Sequence, residues 1–147
     1  PLLGIPSLRH CTLADFERRG HLLPEIIQLR GRHVVAEDER VIAFAAALRA
    51  GDLQQVGALL VQSHNSLRDD YAVSCSELDT MVELALKQPG VYGSRMTGAG
   101  FGGCTVSLVE PRHADEFARN LSRVYIESTG VEPMVNICHA SNGAQAV

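Results

Sequence analysis

Six of the chain's 13 glycines fall between Gly90 and Gly103, and the densest part is Thr97-Gly98-Ala99-Gly100-Phe101-Gly102-Gly103. Residues without a Cβ reach positive φ and let the backbone approach a ligand closely. Successive amides in such a turn form a concave nest that binds anions. Each N–H donated to a charged oxygen contributes about 1.5–3 kcal/mol, so two or three matter to phosphate binding. A glycine-rich hairpin that merely reverses the chain has the same composition, and spacing alone leaves the two readings open. Gly98, Gly100 and Gly103 also satisfy G-x-G-x-x-G. A dinucleotide fold would need a helix directly after them, whereas the next residues, Cys104 to Val109, read as a strand. A protein-kinase loop lies between strands, yet the chain has no V-A-I-K, H-R-D or D-F-G segment.

Other groups carry weaker signals. Arg95 leads into the glycine run and suits either phosphate charge or an ion pair on a strand face. Asp69-Asp70, beside Arg68, suggest metal ligation, although such residues more commonly cap a helix or pair with arginine. His64 fits a core or helix-surface histidine, or a hydrogen bond across a cleft. Glu37-Asp38-Glu39-Arg40 reads as a solvated helix face. His10, His21, His33, His113 and His139 share no ligand spacing. Cys11, Cys75, Cys104 and Cys138 form no C-x-x-C pair and fit free thiols in a reducing compartment.

The elements that position these groups follow from period. Residues 1–24, with Gly4, Pro6, Gly20 and Pro24, read as an irregular lead-in with a short helix at Leu13 to Arg18. Apolar residues from Ile26 to Leu48 recur at helical spacing, and Gly51 ends the run. Asp52 with Gln55 opens the next helix, whose stripe is Val56, Leu59, Leu60 and Leu67. A connection this short makes residues 25–71 an antiparallel helical hairpin. Ser74 with Glu77, or Ser76 with Asp79, is the N-cap of a third helix, which Pro89-Gly90 stops. Val91 to Met96 and Thr105 to Val109 are β-branched runs. Arg112 to Ile126 is helical, Met134 to His139 is a last strand, and Ser141-Asn142-Gly143 is a terminal turn. Residues 74–147 thus read helix, strand, strand, helix, strand, one strand short of a ferredoxin-like layer. The predicted fold is α+β: an antiparallel sheet with helices on one face and the helical hairpin attached.

Bulk properties bound the function. A chain of 147 residues with 46% hydrophobic and 20% charged residues fits one globular domain. The net charge of −4 and the absence of any Lys/Arg block longer than two residues exclude a nucleic-acid surface. No apolar run approaches 18 residues, so no membrane-spanning helix is expected. No secretion signal opens the chain, and a cytoplasmic location is the default. The first residue is Pro1 rather than methionine, which leads us to expect further sequence upstream.

Gly93-Ser94-Arg95-Met96-Thr97-Gly98-Ala99-Gly100-Phe101-Gly102-Gly103-Cys104-Thr105-Val106 resembles the third signature motif of galactokinases, whose superfamily also holds homoserine, mevalonate and phosphomevalonate kinases. Ser63-His64-Asn65-Ser66-Leu67-Arg68-Asp69-Asp70-Tyr71, with Val73-Ser74-Cys75, is similar to the segment these kinases carry at the same distance upstream. Arg32-His33-Val34-Val35 and Ser141-Asn142-Gly143-Ala144 match as well, so the likeness spans roughly residues 30 to 145. The resemblance implies a C-terminal half. An N-terminal half would carry the sugar pocket, the catalytic aspartate and arginine, and the main loop around ATP and Mg2+. Thr97 to Gly103, with Arg95 as a candidate, would brace the phosphates from across the cleft, and no catalytic residue or metal ligand is assigned here. The implied partners are galactose, ATP and that N-terminal domain, and a face it would cover suggests self-association of the chain alone. The alternative is a regulatory module that senses sugar and ATP without catalysis.

Overall fold

The computed structural model describes residues 3–141 and 143. Helix α1 (Leu13–Arg19) is capped by the Thr12 side chain, which accepts from the Asp15 amide. Short 3-10 turns at Leu8–His10 and Gly20–Leu22 flank it, so the lead-in is more ordered than its composition suggests. Phe16 from α1 is 1% exposed and packs where Gly31 leaves room. A Cβ at Gly31 would lie 2.7 Å from the Phe16 ring.

Helix α2 (Glu25–Ala50) ends at Gly51 with φ +70°, and α3 (Leu53–Asp69) starts one residue after Asp52. The Asp52 carboxylate accepts from the Gln55 amide at 3.0 Å, the cap expected there. Ala47, Val56 and Leu59 form the joint between the two helices, with Phe44 and Leu108 against them. Helix α4 (Ser76–Leu86) is not capped by serine: Cys75 takes the N-cap position and makes no side-chain cap bond. Ser74 instead donates its hydroxyl to Asp79 at 2.5 Å.

Strand β1 (Val91–Thr97) pairs antiparallel with β2 (Cys104–Val109), Ser94 opposite Ser107 and Met96 opposite Thr105. Ser94 and Met96 are buried while Thr97, Cys104 and Val106 are exposed, the alternation of a sheet covered on one face. Met96 packs with Leu67 of α3 and Leu78 of α4. Helix α5 (Ala114–Thr129) follows a 3-10 turn and joins α4 through Ala85, Phe117 and Leu121, with Val91 and Val109 beneath. Each large side chain taken fully out of water contributes about 1.5–3 kcal/mol.

The architecture is the expected mixture of helices on an antiparallel sheet, but the last strand does not form. Residues 131–141 make no ladder, and Met134 is 89% exposed. Alternating apolar residues form a strand only where an edge offers its amides and carbonyls. Helix α3 lies along the outer side of β1, so close that a Cβ on Gly57 would sit 1.9 Å from the Tyr92 carbonyl oxygen. Among the described residues the sheet has two strands rather than three or four, with α3 against the outer side of β1 and no strand on the outer side of β2. Of the expected terminal turn, Asn142 lies outside the described residues.

Candidate functional site

The glycine-rich turn joins β1 to β2 and is exposed from Thr97 to Gly103 except at Gly100, which is half-buried. Its backbone is left-handed at four residues: Gly98 (φ +79°), Gly100 (+81°), Phe101 (+56°) and Gly102 (+106°). Phe101 holds that conformation without glycine's freedom, because its amide donates to the Val73 carbonyl at 2.9 Å. The same carbonyl explains Gly100, where a Cβ would lie 2.1 Å from the Val73 oxygen. The segment after α3 therefore clamps the middle of the turn. The Phe101 ring stays 73% exposed.

With Phe101 spent on Val73, the amides of Gly98, Ala99, Gly100, Gly102 and Gly103 have no hydrogen-bond partner outside the β1–β2 ladder, among the described residues. The turn thus keeps donors free in a backbone rich in left-handed residues, an arrangement able to cradle a phosphate-sized anion. A cleft of about 140 Å³ lies elsewhere, bounded by Leu3, Ile5, His10, Cys11, Asp15 and Arg19.

Arg95 is drawn toward α2, its guanidinium 3.3 Å from Glu37 and its Nε donating to the Met96 carbonyl at 2.8 Å. Glu37 is the missed residue of this site. It also accepts from the Ser63 hydroxyl at 2.6 Å and pairs with Arg40, so it ties α2, α3 and β1 together. The expected solvated face is therefore half-buried at Glu37. The signal was available in α3: Ser63 sits on the core stripe of Val56, Leu59 and Leu67, where a polar residue must find a partner.

The other candidates take structural places. Asp69 pairs with Arg68, and the side-chain bond from Arg68 holds its carboxyl below the usual range. Asp70 accepts from Ser66 at 2.8 Å and from Arg32 at 3.2 Å. Ser66 in turn meets buried His33 at 3.0 Å, and Tyr71 stacks on that imidazole with ring centroids 4.6 Å apart. His64 is 2% exposed, its Nδ1 3.3 Å from the Met96 amide and its Nε2 3.4 Å from Asp79. Burial pushes the pKa of both histidines below the ordinary 6.5, outweighing the carboxylates beside them. All four cysteines are free, Cys104 and Cys138 exposed. No group of three His, Cys, Asp or Glu able to hold a metal occurs among the described residues, and none of their helices is long and apolar enough to cross a membrane.

The model described as "GHMP kinases C terminal" matches residues 44–127, and the chain belongs to that family. Its similar relatives are galactokinases. The galactokinase of Chloroflexus aggregans is 51% identical over 148 residues, covering all of this chain and 38% of that protein. The human galactokinase is 48% identical over 145 residues, covering 99% of this chain and 36% of its own length. The crystal structure of Lactococcus lactis galactokinase complexed with galactose superposes with a TM-score of 0.83 at 43% identity, over 87% of this chain and 33% of that one. The chain thus spans a little over a third of these relatives and corresponds to their C-terminal part.

Proposed function

We propose that the chain serves as the C-terminal part of a galactokinase, which moves the γ-phosphate of ATP to the anomeric hydroxyl of galactose. Its contribution is the Thr97–Gly103 turn, whose free amides brace the nucleotide phosphates from one wall of the cleft. The observation that carries this reading is the pairing of a rigid clamp at Val73 with unspent donors on either side of it. Pre-set donors need no reorganisation when charge arrives, which is how fixed dipoles stabilise phosphoryl transfer. Arg95, held by Glu37, adds positive charge at the base of the turn rather than a direct phosphate ligand. On this reading metal, catalytic aspartate and sugar pocket are supplied by the part of such a kinase outside this span. Exposed Ile26, Val41 and Leu48, which fall on one face of α2, with Ile42 beside Val41, provide apolar surface for that part, or for a second copy when the chain is alone.

The division of labour is tested with a coupled ADP-release assay on the chain by itself, given ATP, Mg2+ and galactose. The expected result is no galactose-dependent turnover. Clear turnover would place a complete active site within these residues and overturn the proposal.

A further inference from the structure

Among the described residues, strand β1 has β2 on one side and no strand on the other. A backbone amide on such an edge, once buried, must find an acceptor elsewhere or cost about 1–3 kcal/mol. At Met96, the last buried residue before the glycine turn, the acceptor is a side chain: Nδ1 of His64 at 3.3 Å. The geometry points to His64 as the positioning residue of the glycine turn, a neutral imidazole standing in for the neighbouring strand and fixing where β1 releases the chain at Thr97. This rests on the phosphate-bracing reading of the turn and adds the group that aims it.

Three observations support the assignment. An Nδ1 that accepts from an amide leaves the ring proton on Nε2, which faces the Asp79 carboxylate at 3.4 Å without completing a hydrogen bond. Asp79 is held in turn by the Ser74 hydroxyl, so ring, carboxylate and hydroxyl join α3 to the start of α4. Met96 also meets the turn through its own side chain, since a Cβ on Gly100 would lie 3.0 Å from Met96 Cε. Displacing Met96 therefore shifts the turn at both its entry and its middle. The charged groups around the ring are Asp79 from α4, Arg95 from β1, and Arg68 and Asp69 from α3 itself.

The test uses amide NMR of this chain at fixed pH, with His64→Asn and His64→Ala. Asparagine places a carbonyl oxygen near the position of Nδ1, while alanine removes the acceptor. Expected for His64→Ala is about tenfold faster hydrogen exchange at Met96, the factor one lost hydrogen bond implies, with shifted resonances from Thr97 to Gly103. His64→Asn should restore the exchange rate to within about threefold of the parent, less than half the free energy of one such bond, and return the turn resonances. Equal disturbance by both variants, or a Met96 amide indifferent to either, would overturn the assignment. If alanine unfolds the chain, the asparagine variant decides alone: parent-like turn resonances support positioning, and a displaced turn contradicts it. Because no nucleotide is added, this outcome is separable from failure of the phosphate reading, which is scored by ATP titration of the unsubstituted chain.

Discussion

At the scale of single residues, the polar groups that matter most are those the helical period hides. His33 and His64 lie on core-facing positions of α2 and α3, and each is held neutral by burial despite a carboxylate nearby. Above pH 6.5, the ordinary histidine value, folded and unfolded chains carry the same neutral rings, and the histidines leave stability independent of pH. Below it the unfolded chain takes up protons that the folded one resists, so stability falls with pH until the folded rings titrate. The slope is at most about 1.4 kcal/mol per pH unit for each histidine. Urea midpoints should therefore drop steadily as pH falls below 6.5, and replacing either histidine by asparagine should flatten the slope. A midpoint that holds or rises through that range would contradict the neutral assignment.

At the scale of elements, the tightest constraint is the crossing of α3 over β1 at Gly57 and Gly93. A Cβ on Gly93 would sit 2.3 Å from the Gly57 carbonyl oxygen, and backbone cannot step aside as a flexible side chain can. Gly93→Ala should cost about 3 kcal/mol, the upper end for overpacking, read as a lowered urea midpoint. A loss under about 1 kcal/mol would mean that helix and strand are not in contact there. Periodicity made α3 to α5, β1 and β2 legible through buried stripes that repeat at 3.6 or 2 residues, whereas α2 was legible from apolar residues such as Ile26, Val41 and Leu48 that the structure leaves exposed. The terminal strand was misread because Met134 to His139 carry strand composition, and pairing is not written in a segment's own residues. The clamp at Val73 was equally invisible, since it depends on a carbonyl, which every residue has. Glycine density did mark the turn, and its positive φ angles bear that out.

At the scale of the molecule, α2 presents more apolar surface to solvent than its neighbours can cover. Val41 and Ile42 are 60% and 72% exposed, less than two turns after buried Val35 and Ala36 on the same helix. Such a face favours association, so light scattering should show mass rising with concentration, and Val41→Glu with Ile42→Lys should abolish the rise. A strictly monomeric profile at high concentration would contradict an associating face. The central claim, however, concerns the turn itself. Amide spectra of the chain titrated with ATP, with adenosine as the control lacking phosphate, test it directly. The account predicts that ATP shifts the resonances of Gly98, Ala99, Gly100, Gly102 and Gly103 while adenosine leaves them in place. Turn amides that ignore ATP, or that answer adenosine equally, would contradict it.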